Sequence, residues 1–193
     1  MQDAWSYRSG RAGAAYSDEL DRLAAATANG ARTAFEQIYH LLVDDVYAYA
    51  RAQCTSDADA EDIVSIVFLK AWQFARHYRV GSGGYRNWIF GIARNQVRNH
   101  WRALKNSRRL EQALMTRHDP VAAEPGANID WTALSQALAN LTSEQREVIT
   151  LRYLNGRTPA EVALILGKTE GSVRALQHRA LQQLRKAVTR AAA

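Results

Sequence analysis

The sequence predicts an all-α protein, two small helical domains joined by a flexible linker. Three observations lead there. Apolar residues recur at three- and four-residue steps through most of the chain. No alternating run of β-branched residues offers a strand. A stretch holding Pro120, Pro125 and Gly126 interrupts the helical pattern. At 193 residues the chain can form one medium or two small domains, and 47% hydrophobic content supports ordinary cores.

Residues 1–17, rich in Gly, Ala, Ser and Arg, read as a flexible arm. Ser17 then caps SDELDRLAAATANG, with Asp18 and Glu19 in its first turn and Gly30 at its end. Residues 31–54 form a long helix with Phe35, Ile38, Leu42, Val46, Tyr49 and Ala50 on one stripe. Residues 57–77 form a second, capped by Asp57 or Asp59 and striped by Ile63, Val67, Ala71 and Phe74. HYRVGSGG is a glycine-rich loop. A third long helix covers 85 to about 105 and buries Trp88, Ile89, Ile92, Val97, Trp101 and Leu104. The first domain therefore spans 18–110. Residues 111–130 are the linker, whose weakly helical start at 110–116 extends the preceding helix. Residues 131–193 form the second domain.

The formal net charge of +6 and pI of about 9.7 point to a polyanionic partner, nucleic acid or an anionic membrane surface. Cys54, the single cysteine, cannot form an internal disulfide and reads as a small apolar residue. No apolar run approaches the roughly 20 residues that span a bilayer, and the N-terminus lacks a signal-peptide centre. A cytoplasmic protein without membrane contact is expected. An enzyme such as a nuclease or nucleotide hydrolase finds no support. The histidines are scattered, no HExxH or P-loop pattern exists, and no cofactor or metal is expected.

Residues 63–110 contain no Asp or Glu, yet carry a dense series of Lys and Arg. Arg94, Arg98 and Arg102 follow one another at four-residue spacing, where like charges on a helix repel. Something anionic should offset that repulsion, and phosphates are the natural candidate. Arginine enrichment alone decides little, because a GC-rich genome produces it too. Asn95 and Asn99 share the basic side, and amides both donate to and accept from base edges. A basic groove with aromatic neighbours suits single-stranded DNA.

The C-terminal part carries a second signature. Thr158, Pro159 and Glu161 make a dense helix start, and Gly167 stops that helix after two turns. Thr169 caps the next helix. Two short-spaced helices around a glycine turn fit a helix-turn-helix. Val173, Leu176, Ala180, Leu181 and Leu184 supply the inner face of the second helix. Ser172, Arg174, Ala175, His178 and Arg179 lie on the outer, leading side that enters a major groove.

DAEDIVSIVFLKAW and YRNWIFGIARNQVRNHWR resemble region two of bacterial RNA polymerase sigma factors. LSQALANLTSEQREVITLRYLNGRTPAEVALILGKTEGSVRALQHRALQQLR resembles their region four. Two regions with a short connector are similar to the extracytoplasmic-function (ECF) subgroup of the sigma-70 family. The resemblance implies a non-catalytic protein that binds core RNA polymerase (β′ and β subunits), directs it to promoter DNA and helps open the duplex. It implies that Asp62, Ser65, Phe68, Leu69 and Trp72 dock on the β′ coiled coil. It implies that Tyr78, Arg79, Tyr85, Arg94, Asn95, Arg98, Asn99 and Arg102 handle the minus-ten element. Ser172, Arg174, Ala175, His178 and Arg179 would then read the minus-thirty-five element. The linker would thread toward the catalytic cleft, and an anti-sigma factor is a possible further partner. Two departures stand out. Ser65 and Ile66 replace the family's usual Gln and acidic residue, and Ala175 and Leu176 lie where polar or basic residues are common. Region four also resembles response-regulator output domains, but residues 31–110 lack the strands of a receiver.

Overall fold

The computed structural model describes residues 11–79, 83–114 and 136–191. All regular elements among them are helical. Helix α1 spans Arg11–Ala28 and so starts before Ser17, inside the expected arm. Its early part is held by Tyr16, whose hydroxyl donates to the Leu41 carbonyl at 2.9 Å. Gly30, with φ of 95°, takes the left-handed turn into α2, Arg32–Gln53. The α2 stripe is as expected: Ile38, Leu42, Val46 and Tyr49 are wholly buried. Each such aliphatic side chain contributes about 1.5–3 kcal/mol.

Helix α3, Asp57–Gln73, is capped by Ser56, not by Asp57 or Asp59. The Ser56 hydroxyl accepts from the Asp59 N–H at 3.1 Å and donates to the Asp59 carboxylate at 2.6 Å. Asp57 is drawn away to pair with buried Arg51. After Gln73 a short 3-10 turn, Ala75–His77, replaces the expected helical end. Helix α4, Gly84–Leu114, is longer than the expected 85–105 and absorbs the helical start of the linker. Linker residues 115–130 lie outside the described residues.

In the second unit, residues 136–139 are helical, followed by α5, Ser143–Ile149. Thr142 and Gln145 form a reciprocal capping box at its start. Helix α5 opens into a π turn, Thr150–Leu154, closed by Asn155 N–H donating to the Thr150 carbonyl at 3.1 Å. Helix α6, Pro159–Leu166, has the expected Thr158–Glu161 box, Pro159 in its first turn, and Gly167 at φ 61°. Helix α7 is Glu170–Ala191, and Thr169 accepts from the Ser172 N–H at 3.2 Å.

Both helical units are present, and they pack on each other. One continuous core runs from Leu20, Val46 and Phe90 of the first unit to Val148, Leu151, Val162 and Leu166 of the second. A smaller cluster joins Ala52 to Leu138, Leu141, Ile149 and Ala180. The wide π turn delivers Asn155 and Arg157 onto the first unit. The Asn155 amide donates to the Asp45 carbonyl at 2.7 Å, and the Asp45 carboxylate pairs with Arg86. Arg157 is 1% exposed and lies 4.5 Å over the Phe90 ring. It donates to Asn87 at 3.4 Å and pairs with Glu161 at 3.3 Å. Burial lowers the Arg157 pKa to about 10, the nearby Arg86 charge adding to the effect.

Candidate nucleic-acid interface

Helix α4 presents the basic residues because its other side is apolar. Tyr85, Ile89, Phe90, Ala93 and Val97 go into the core. That leaves Asn95, Arg98, Asn99 and Arg102 exposed. With Lys70, Phe74, Ile92 and Gln96 they line an open groove of about 410 Å³, and none of these lining residues is acidic. Arg102 donates to the Asn99 side chain at 3.3 Å, so the amide and the guanidinium are already registered. Trp101, expected in the core, is only half-buried, its indole N–H donating to the Gln53 carbonyl at 3.1 Å.

The other minus-ten candidates are placed differently. Arg94 is largely covered and faces Glu147 of α5 at 3.5 Å. Glu147 is itself 5% exposed; burial pushes its carboxyl above the usual range while Arg94 pulls it back. Tyr78 and Tyr85 are buried, at 9% and 1% exposure, in an edge-on pair 4.9 Å apart beside Trp88. Their ring faces are spent on packing, so in this arrangement neither offers a surface to a base. Asp21 of α1 explains why: one of its oxygens accepts from the Tyr78 hydroxyl at 2.8 Å and from the Tyr85 N–H at 2.7 Å. Burial and that carboxylate raise the Tyr78 pKa well above 10. Gly84, at φ 69°, lets the chain pass Asp21; a Cβ there would meet the Ser17 hydroxyl at 3.1 Å. Arg79 is exposed, donating to the Arg76 carbonyl at 3.0 Å, and the loop residues 80–82 lie outside the described residues.

Helices α2 and α3 form a second feature, an apolar groove of about 610 Å³. Leu69 and Trp72 are 55% and 40% exposed on its rim, and Phe68 is its buried floor. Asp62 and Ser65 are exposed farther along α3. Phe35 and Tyr39 of α2 complete it, with Phe35 5.2 Å from Trp72 and Tyr39 4.8 Å from Phe68. Those two residues escape a sequence reading, because only the pairing of α2 with α3 makes them groove walls.

On α7, Ser172, Arg174, Ala175, His178 and Arg179 are all exposed, and Val173, Leu176 and Ala180 are buried beneath them. Arg174 reaches back to Glu170 at 3.4 Å, both well exposed, so the pair is easily exchanged for another partner. Among the described residues no group of three or more His, Cys, Asp or Glu could hold a metal ion.

Residues 38–107 match the family model for sigma-70 region 2, and residues 137–186 match that for sigma-70 region 4. The chain is 30% identical over 166 residues to the ECF RNA polymerase sigma factor SigL of Mycobacterium tuberculosis, covering 83% of this chain and 94% of that one. The chain belongs to the ECF RNA polymerase sigma factors. Its role is accordingly in transcription initiation. It is also 31% identical over 159 residues to the sigma factor BldN of Streptomyces coelicolor, spanning 80% of this chain and 60% of BldN's length. The solved structure of the sigma factor RpoE with the anti-sigma factor NepR from Bartonella quintana matches at a TM-score of 0.68 and 27% identity, covering 80% of this chain and 96% of that one. The structure of CnrH in complex with the cytosolic domain of CnrY shares the fold, at a TM-score of 0.71 and 24% identity, covering 89% of this chain and 97% of that one. In this ECF sigma chain no helix among the described residues is long and apolar enough to cross a membrane.

Proposed function

We propose that this sigma factor binds core RNA polymerase through the α2–α3 groove, captures the minus-ten strand on α4 and reads the minus-thirty-five element with α7. The observation that carries the reading is the α4 groove. Its exposed Asn95, Arg98, Asn99 and Arg102, with no acidic lining residue, combine phosphate attraction with base-edge hydrogen bonding. The exposed Leu69 and Trp72 support an apolar contact to the polymerase. The capped start of α7 with Arg174, His178 and Arg179 outward supports duplex reading. An anti-sigma factor is proposed as a regulator, on the strength of the related RpoE–NepR complex.

Transcription reconstituted with core polymerase on genomic promoter fragments tests the whole. Asn95→Ala and Asn99→Ala should impair promoter opening while polymerase binding stays largely intact. Arg174→Ala should weaken upstream duplex recognition by about 1–3 kcal/mol if it reads a base with two bonds. Equal loss of polymerase binding in all three variants would refute this division of labour.

A further inference from the structure

We propose that the C-terminal unit imitates nucleic acid at Arg94, with Glu147 in the place of a phosphate, so that closure of the two units and single-strand binding exclude each other. The inference rests on the strand-binding reading of α4.

The arginine row creates the need. Arg94, Arg98 and Arg102 repel along one side of α4, and residues 63–110 supply no carboxylate to relieve them. The relief comes from the other unit. Glu147 lies 3.5 Å from Arg94, and the two side chains are 7% and 19% exposed. Arg98 and Arg102 remain exposed, and with Trp101, Arg146 and Glu147 they line a groove of about 410 Å³ at the seam between the units. An oligonucleotide lying along the row therefore reaches Arg98 and Arg102 freely and meets Glu147 at Arg94.

A buried ion pair is a poor choice for stability alone, since apolar residues of similar size often do as well. Its use here is that a second anion can replace the first. Polar bonds also cross the seam beside the shared apolar core: the Asn155 amide with the Asp45 carbonyl, Arg157 with Asn87, and Gln53 with Thr150 at 3.3 Å. A polyanion contacts all three arginines at once, whereas Glu147 satisfies one. Binding should thus shift the population from closed to open.

The full chain with Cys54→Ala, spin-labelled at Ala103→Cys and Gln183→Cys, reports the separation of the units. A short mixed-sequence single-stranded oligodeoxynucleotide, followed by fluorescence anisotropy, is the probe. The expected results are a short distance for the free chain, lengthening as the oligonucleotide binds, and binding by Glu147→Gln about three- to tenfold tighter than by the parent. Asn155→Ala, which removes the amide bond to the Asp45 carbonyl across the seam and away from the arginine row, should tighten binding in the same direction and guards against a folding defect in the first variant. Unchanged or weaker binding by both variants, or binding without lengthening, overturns the proposal. Neither readout involves polymerase, so failure of reconstituted transcription would strike the sigma reading separately and leave the clasp intact.

Discussion

Two glutamates, Glu147 and Glu161, experience opposite environments. Burial pushes both carboxyls upward. At Glu161 the Thr158 N–H at 2.8 Å, the Thr158 hydroxyl and Arg157 outweigh it, and the carboxyl falls below 4.5. At Glu147 burial wins over Arg94 and the carboxyl rises. A lowered folded-state pKa gives stability that is present above about 4.5 and is lost as pH falls through the folded value. A raised one gives the reverse: its contribution is full below about 4.5 and is lost as pH rises through the folded value. In urea unfolding, Glu161→Gln should therefore cost more at pH 7 than at pH 4, and Glu147→Gln should be better tolerated at pH 7 than at pH 4. A single common pH trend for both variants would contradict these environments.

Elements divide by how local their causes are. The start of α6 is readable in the sequence because Thr158, Pro159, Glu161 and Gly167 act within one short helix. Thr158→Ala should lower stability by about 1 kcal/mol in chemical denaturation, and Thr158→Ser should restore most of it. The exposed outer side of α7 and the exposed amides of α4 are equally local, since helical period and apolar stripe decide them. The α3 cap is not: Asp57 is a good capping residue in isolation, but Arg51 of α2 competes for it and Ser56 takes the cap. Tyr78 and Tyr85 carry the same lesson. A loop flanked by aromatics reads as a base-stacking surface, yet Asp21, 57 residues from Tyr78, turns both inward. The π turn has no local signature at all; it follows from where Asn155 and Arg157 find partners.

At the scale of the molecule, the two units are legible in the sequence and their union is not. The interruption at 111–130 separates two helical patterns, but the seam pairs apolar stripes of both units with single polar residues such as Asn87, Glu147, Asn155 and Arg157, tens of positions apart. The shared core predicts that the whole chain unfolds in one cooperative transition by calorimetry. Arg157→Ala removes the guanidinium from between Phe90, Asn87 and Glu161 and should cost about 3 kcal/mol. It should also split that transition into two, because each unit keeps its own helices when the seam is lost. A single transition at lower temperature would mean that the second unit cannot stand without the first.

Asp21 has a consequence of its own. Because one carboxylate oxygen holds both the residue that enters the glycine loop and the residue that leaves it, the loop is tied off at its neck. Losing that one carboxylate, as in Asp21→Ala, should therefore release Tyr78 and Tyr85 together rather than either one alone.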